Sequence, residues 1–269
     1  MLQCQRSGAR SQRAFQIIRV AVILGLFLFA QNATAIVVSI DNLAVHLVGE
    51  IGSKDVAELK KHIGRSPVGY VMLYVNSRGG NWEAAMALGR LLRASRSAVT
   101  VGEGSVCLSS CVILLAGATT RIVDERARVG IHRPFSSSTK PVSFEQAQAQ
   151  YRRLETQTRE YLREMNMPES LWDAVVATPP EQMKILSYKE LETFRLAGKD
   201  PALQEVEDSD AARKYGITKE VYFVRKNQVW PKCGSLFPTR AEIDGNQEIA
   251  VSKLTAYNKC EHAVLHGEK

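Results

Sequence analysis

The first 35 residues lack acidic side chains altogether. An apolar run from Val20 to Ala30 follows the four arginines Arg6, Arg10, Arg13 and Arg19. The run is shorter than the roughly 17–25 apolar residues that a membrane-spanning helix needs. Small residues, Ala33 and Ala35, stand at the −3 and −1 positions before Ile36, as at a signal-peptide cleavage site. The pattern predicts a secretory signal peptide over residues 1–35 and favours it over an uncleaved membrane anchor.

The mature chain also lacks a strong excess of charge. The 35 Lys and Arg residues, less the four arginines of the signal, stand against 28 acidic residues and leave a net charge near +3. This near balance gives no reason to expect nucleic acid as a partner. About 234 residues can hold one domain of ordinary size plus an extension. We expect a periplasmic or secreted protein, and a membrane partner stays open.

The cysteines include no CxxC pair, and no histidine lies near Cys107, so zinc binding is disfavoured and we expect no metal site. Cys4 leaves with the signal, and four cysteines remain. An even number in an exported chain predicts two disulfides. Proximity in sequence favours Cys107–Cys111 and Cys233–Cys260, although four cysteines allow three pairings.

Strand-like and helix-like segments alternate along most of the mature chain, which predicts an α/β fold with a mainly parallel sheet. The predicted strands are Ile36–Ser39, Leu43–Val48, Val68–Val75, Ala98–Gly102, Arg121–Val123 and Val129–Ile131. The predicted helices are Asp55–Ile63, Trp82–Arg93, Ser109–Leu115 and Phe144–Met165, and Ser136–Ser138 is predicted to be a loop.

The character of the sequence changes beyond about Lys214. Val221–Val224 and Glu248–Val251 look like short strands among Pro and Gly residues. We therefore expect an α/β domain over residues 36–213 and a small β-rich extension over 214–269. The Cys233–Cys260 disulfide would close this extension.

Three local features could carry chemistry. A predicted buried strand ends in Asn76-Ser77-Arg78-Gly79-Gly80, where glycines let a backbone approach a substrate and its N–H groups stabilise an oxyanion. Ser109 stands near the N-terminus of a predicted apolar helix, where the helix dipole favours developing negative charge. His132 stands at the tip of a strand, where an imidazole can act as a general base.

Each feature has a plainer structural reading. A serine at a helix start is more often an N-cap than a nucleophile. A single histidine is more often structural than catalytic, and Gly-Gly after a strand is usually only a turn. The combination of the three in this order is far more specific than any one of them.

Residues from about Leu43 to Leu196 resemble the proteolytic subunit of Clp protease and its relatives in the crotonase superfamily. The matching stretches are Leu47–Ile51, Leu73–Gly80, Cys107–Gly117 and Val129–Pro134. The Cys107–Cys111 segment resembles a periplasmic branch with Cys-x-Ser-x-Cys in place of Ser-x-Gly. The resemblance implies a spiral of ββα units, a peptide or protein substrate and no cofactor, and leaves homo-oligomers open.

Site roles follow from this resemblance where the motif matches. Ser109 corresponds to the nucleophile, with Ser110 as a second candidate, and His132 corresponds to the general base. Gly79 or Gly80, together with the N–H of Ser110, corresponds to the oxyanion hole.

The third member of the triad departs from the family pattern, because Met183 stands where the family has an aspartate. Glu181 and Asp173 are near enough in sequence to substitute for it. A Ser–His dyad is chemically sufficient otherwise, since the acid orients the imidazole and does not take its proton. The missing acid also supports an alternative, a Clp-like binding module without activity. Acyl-CoA chemistry of the crotonase type is disfavoured by export, because that cofactor is cytosolic.

Overall fold

The computed structural model describes residues 36–38, 43–135 and 141–268, so the predicted signal peptide and the predicted Ser136–Ser138 loop lie outside these ranges. The chain divides into two compact units between Ala197 and Gly198. The sequence-based boundary at 213/214 comes later, at the end of a helix that opens the second unit. Asp200 caps this helix by accepting from the amides of Ala202 and Leu203. Within the described ranges, no helix has the length and apolar character needed to span a membrane.

The first unit is built on a sheet in which most neighbouring strands run parallel. Its strands are β1 (Ile36–Val38), β2 (Ala44–Ile51), β3 (Met72–Gly80), β4 (Ala98–Val101), β5 (Val106–Leu108), β6 (Thr120–Val123), β7 (Arg128–Ile131) and β8 (Lys184–Ile185). The order is β8-β7-β5-β3-β4-β6, and β2 also pairs with β3. Only the pairs β1–β2 and β7–β8 are antiparallel among those described. The predicted α/β class with a mainly parallel sheet is confirmed.

Helices alternate with these strands. They are α1 (Ser53–Arg65), α2 (Trp82–Ala94), α3 (Ser110–Gly117), α4 (Phe144–Glu164), α5 (Glu169–Ala177) and α6 (Tyr188–Thr193). In α2 the buried residues Ala85, Leu88 and Leu92 recur at helical spacing, and Asn81 caps the helix by accepting from the amide of Ala84. Every residue of α3 is buried. Helix α3, which follows β5, is therefore part of the core, and its packing fixes the position of its first residue, Ser110.

Close backbone contact fixes α3 against α2. A Cβ atom added at Gly117 would lie 2.3 Å from Cα of Gly89, so glycine at both positions permits the approach. From α4, the hydroxyl of Tyr161 donates a 2.8 Å hydrogen bond to the carbonyl of Ile113. The buried guanidinium of Arg121 donates to the carbonyls of Leu115 and Ala116 at the end of α3. These contacts hold α3 on the sheet.

The second unit is helical, so the predicted β-rich extension is wrong. Its elements are β9 (Gly198–Lys199), α7 (Pro201–Lys214), α8 (Lys219–Cys233), a 3-10 turn (Gly234–Leu236), α9 (Arg240–Gly245) and α10 (Gln247–His266). The predicted strand Val221–Val224 lies in α8, and the predicted strand Glu248–Val251 lies in α10. Thr218 and Asn246 cap the two helices.

Burial explains why the short β-branched run of α8 is helical. Tyr222, Val229 and Cys233 are buried at intervals of seven and four residues, which is helical spacing. Cys233 forms a disulfide with Cys260 of α10, with 5.8 Å between the Cα atoms. Cys107 and Cys111 form the other disulfide, with Cα atoms 5.2 Å apart. Both predicted pairings are confirmed.

Candidate active site

The register of β5 and β7 brings two predicted site residues to one end of the sheet. These parallel strands pair Cys107 with Val129 and Leu108 with Gly130. One residue further, the amide of Ser109 donates a 2.9 Å hydrogen bond to the carbonyl of Gly130. His132 follows Gly130 by two residues, and neighbouring strands lie about 4.8 Å apart. Ser109 and His132 therefore lie at the same end of the sheet, where these two strands end.

Ser109 forms a strained turn between β5 and α3. Its backbone angles are φ 57° and ψ −127°, a conformation that costs a non-glycine residue about 1–3 kcal/mol. An ordinary N-cap has extended backbone and a side chain that accepts from the first turn, whereas the side chain of Ser109 makes no capping hydrogen bond. Because Ser109 is only half-buried and its side chain does not cap the helix, the N-cap interpretation does not account for this serine.

The hydroxyl of Ser110, the second candidate nucleophile, is engaged in a structural hydrogen bond. Its side chain is buried, and its hydroxyl donates a 3.1 Å hydrogen bond to the carbonyl of Gly80. The amide of Ser110 belongs to the first turn of α3, where N–H groups have no partner within the helix. Within the described ranges no acceptor is assigned to this amide. The hydroxyl of Ser110 is thus engaged, while its N–H can serve an incoming oxyanion.

Two glycines at the end of β3 allow close backbone contacts, Gly79 with the Ser109 turn and Gly80 with the end of β2. Gly79 has φ +100°, and a Cβ added there would lie 2.8 Å from the carbonyl oxygen of Leu108 and 2.8 Å from Cβ of Ser109. Gly80 has φ +144°, and its added Cβ would lie 2.3 Å from the carbonyl oxygen of Ile51. The amide of Gly79 donates to Oγ of Ser77 at 3.1 Å. This N–H must leave Ser77 before it can bind an oxyanion.

His132 is buried, with 7% of its surface exposed. Its Nδ1 lies 3.0 Å from the carbonyl oxygen of Arg133, and its ring lies 5.7 Å from the ring of the exposed Phe135. Over the ranges that the structure describes, no hydrogen bond joins the Ser109 hydroxyl to the imidazole. Such bonds are often long before substrate binds. Ser109 and His132 thus share one end of the sheet without a hydrogen bond between their side chains.

Neither predicted acid reaches the imidazole. Asp173, on α5, is 69% exposed and lies 3.9 Å from the guanidinium of Arg159. Glu181 is exposed, and no hydrogen bond or ion pair is assigned to it in the described part of the chain. Met183 lies near Gly130, where its Sδ would be 2.9 Å from an added Cβ. The structure therefore brings no carboxylate of the predicted set to His132.

An apolar group borders the turn. The side chains of Leu108, Met183 and Ile185 would all lie within 2.9 Å of a Cβ atom on Gly130. Met183 and Ile185 are each 39% exposed.

Sequence reasoning missed two contacts at this site, namely that of Ser77 with the Gly79 amide and that of the Arg133 carbonyl with His132. The one sequence feature that indicates a role for the Arg133 carbonyl is Pro134, because a proline restricts the backbone of the residue before it.

Two further features lie apart from this chemistry. Among the described residues there is no cluster of three metal-ligating side chains. A surface cavity of about 480 Å³ in the second unit is lined by Glu220, Val221, Val224, Arg225, Gln228, Lys232, Val264, Gly267 and Glu268. None of the predicted catalytic residues lines it.

Comparisons with known proteins cover the same region. A Clp protease family model matches residues 54–170, a range that includes Ser109 and His132 and ends before Asp173. ATP-dependent Clp protease proteolytic subunit 1 of Corynebacterium efficiens and that of Corynebacterium glutamicum are each 29% identical over 182 residues, covering 66% of this chain and 77% of the relative. A solved ClpP1 mutant from Listeria monocytogenes has 18% identity and a TM-score of 0.46, covering 58% of this chain and 90% of that one.

Proposed function

The chain belongs to the Clp-protease-like superfamily, and on that premise we propose that it is an exported serine hydrolase that cleaves peptide bonds. Oγ of Ser109 attacks the substrate carbonyl, and Nε2 of His132 takes the hydroxyl proton. The same imidazole then protonates the leaving amine, and water releases the acyl group from Ser109. The reaction needs no cofactor.

The observation that carries this proposal is the turn at Ser109. A serine in a strained strand-to-helix turn, with its hydroxyl exposed at the end of a parallel sheet, is the arrangement called a nucleophile elbow. Strain of this kind persists only where the surroundings impose it, and it clusters at functional sites. Here the hydrogen bond from the Ser109 amide to the Gly130 carbonyl and the buried helix α3 impose it from either side.

Stabilisation of the tetrahedral oxyanion falls to backbone N–H groups. The amide of Ser110 is the first donor. Ser110 is the first residue of α3, and the dipole of this helix favours negative charge at that end. Gly79 supplies the second donor once its amide exchanges Oγ of Ser77 for the oxyanion. A buried donor of this kind typically contributes about 100-fold to 1,000-fold in rate.

The proposed compartment is the periplasm or the cell exterior. The acid-free, arginine-rich start and the small residues Ala33 and Ala35 support it. The pairing of four cysteines into two disulfides supports it too, because disulfides persist in oxidising compartments. Cell fractionation with N-terminal sequencing tests this point. A mature chain that begins at Ile36 is expected, and an intact N-terminus in the cytosol would contradict it.

Self-association through α4 is a further part of the proposal. Residues 144–150 of this helix are exposed, including Phe144 at 76%. Together with the exposed Val142 just before the helix, Phe144 provides an apolar surface for a second copy of the chain. Light scattering on the purified protein measures the mass. A monomer at all concentrations, unchanged by Phe144→Ser, would remove this part without affecting the chemistry.

The experiment that tests the activity is labelling with a fluorophosphonate probe. Oγ of Ser109 displaces fluoride from phosphorus, and the hydroxyl proton passes to His132. The oxidised wild type is compared with Ser109→Ala, Ser110→Ala and His132→Ala, each checked by circular dichroism. Ser109→Ala is expected to abolish labelling, and His132→Ala to slow it by about 100-fold to 10,000-fold. Ser110→Ala removes only the hydrogen bond to Gly80 and is expected to label.

Failure of the folded wild type to label would shift the conclusion to the alternative, a binding module that kept the fold. One observation favours that alternative, namely that no carboxylate of the predicted set contacts His132. Its test is capture of peptides from a degenerate library by the purified protein. Capture with release of intact peptide would support binding without hydrolysis, whereas cleaved peptides would support the hydrolase.

A further inference from the structure

The imidazole of His132 has a partner other than a carboxylate. Its Nδ1 lies 3.0 Å from the carbonyl oxygen of Arg133. A carbonyl oxygen only accepts hydrogen bonds, so this contact favours the tautomer with the proton on Nδ1, in which it is a hydrogen bond. The tautomer leaves a lone pair on Nε2, the atom that must take the proton of Ser109. In a Ser-His-Asp triad the carboxylate enforces this same tautomer.

We propose that the main-chain carbonyl of Arg133 replaces the acid of the triad, so that Ser109 and His132 work as a dyad oriented by backbone. The inference rests on the proposed hydrolase function and concerns the same site. It assigns the carbonyl of Arg133 a positioning role, since it touches only the imidazole and not the reacting atoms. It also accounts for Met183 at the position of the family aspartate.

The surroundings hold this carbonyl in place from both sides. On the N-terminal side, the amide of Arg133 donates a 2.8 Å hydrogen bond to the carbonyl of Thr178. Thr178 is itself buried, and its hydroxyl donates to the carbonyl of Ala174 on α5 at 2.9 Å. On the C-terminal side, the buried Pro134 confines Arg133 to extended backbone. A carbonyl fixed in this way can orient a ring without a side chain.

The charge of the site distinguishes this arrangement from a triad. A carboxylate both sets the tautomer and stabilises the imidazolium that forms during attack. A neutral carbonyl does only the first, so a substrate whose leaving group needs little protonation is favoured. Activated esters and fluorophosphonates are expected to react readily, and unactivated amides more slowly. Cleavage of peptide bonds is therefore expected to be slower than cleavage of activated esters at the same site.

The tautomer can be observed directly by nitrogen NMR. The exported protein, labelled with ¹⁵N-histidine and oxidised, is recorded where the imidazole is neutral, and His132→Gln identifies the ring. The expected spectrum has a protonated Nδ1 and an unprotonated Nε2. Pro134→Ala frees the carbonyl and is expected to mix the tautomers while the fold is kept. Its labelling rate is expected to fall by at least about tenfold.

Two carboxylate variants provide the matched controls. Asp173→Asn and Glu181→Gln are expected to leave both the nitrogen spectrum and the labelling rate unchanged. An Nε2-protonated ring in the wild type, or a loss of about tenfold or more in either variant, would overturn the assignment to Arg133. If either of these outcomes is found and the wild type still labels, the proposed hydrolase function is kept and only the role of the Arg133 carbonyl is rejected. If Nδ1 is protonated but nothing labels, the hydrolase falls and the hydrogen bond to Arg133 stands.

Discussion

The amide of Ser109 donates to the carbonyl of Gly130, and this 2.9 Å hydrogen bond continues the β5–β7 ladder past the last residue of β5. The ladder sets the separation between the strained turn and the strand that carries His132. The position of Ser109 relative to the end of β7 is therefore set by the sheet, whereas the contact of the His132 ring involves the residue that follows it. Substitutions that disturb the strand ends should therefore affect activity.

Gly79→Ala is the most direct disturbance of this kind. The new Cβ would meet the backbone carbonyl of Leu108 at 2.8 Å, and φ +100° is unfavourable for alanine. We expect a loss of at least about 2 kcal/mol in the free energy of unfolding and no labelling. Gly49→Ala is the matched control, because Gly49 has φ +106° and no atom within 4 Å of an added Cβ. It should cost only the conformational strain of about 1–2 kcal/mol and still label. Chemical unfolding and labelling per folded molecule measure both, and equal loss of labelling in the two variants would contradict the close-contact argument.

The effects of substitutions at Gly89 of α2 and Tyr161 of α4 on the free energy of unfolding should be coupled. A Cβ on Gly89 would lie 1.8 Å from the hydroxyl oxygen of Tyr161, which itself donates to Ile113. Gly89→Ala alone is expected to cost about 1–3 kcal/mol by overpacking, and Tyr161→Phe about 1 kcal/mol by loss of the hydrogen bond. The double variant should cost less than the sum, by about 1 kcal/mol, because loss of the hydroxyl removes the shortest contact and leaves the one with Cζ at 2.9 Å. Urea unfolding of the four proteins measures the coupling, and strict additivity would count against the packing described.

The first unit could be predicted largely from its sequence because its signals are long or paired. The helical stripe of α2 predicts that helix to within one residue, and the apolar run before Asn76 predicts β3 with its start four and its end five residues too early. The second unit could not be predicted in the same way, since Val221–Val224 is a four-residue window whose β-branched character is typical of a strand. Burial of Tyr222, Val229 and Cys233 on one face, a long-range effect, overrides that local preference.

The candidate site divides along a similar line. Ser109 and His132 could be chosen as candidate nucleophile and base from their residue types and from the order of the motifs. The engagement of the Gly79 amide by Ser77 and the contact of His132 with Arg133 involve backbone atoms, and the only trace that they leave in the sequence is the restrictive Pro134. A sequence can reveal that Met183 is not an acid, but the group that faces the imidazole instead emerges only from the folded backbone.

Glu190 gives the first unit a specific dependence on pH. A hydrogen bond from Lys184 and further bonds from Ser187 lower the pKa of Glu190 from 4.5 to about 2. Because the folded pKa is depressed, this stability is present above about 4.5 and is lost as the pH falls towards about 2. Glu190→Gln keeps the capping geometry and loses the ion pair, and should cost about 0.5–1 kcal/mol at pH 7. Unfolding measured from pH 7 to pH 3 should show the difference from wild type shrinking. Glu192→Gln on the same helix is the control, and a difference that stayed constant with pH in Glu190→Gln would contradict the assignment.

The disulfide between Cys107 and Cys111 should matter to activity more than its short loop suggests. It joins β5 to α3 and so encloses Ser109, whose backbone conformation costs about 1–3 kcal/mol. Closing a five-residue loop contributes about 2 kcal/mol, an amount comparable with that strain. We expect Cys107→Ala with Cys111→Ala to lose that stability and, as the turn relaxes, most of the labelling per folded molecule. Cys233→Ala with Cys260→Ala opens a longer loop, worth about 3.5 kcal/mol to the second unit, and should leave labelling intact. Reduction of the wild type should reproduce the first variant, and full labelling after complete reduction would show that the sheet and α3 hold Ser109 without the disulfide.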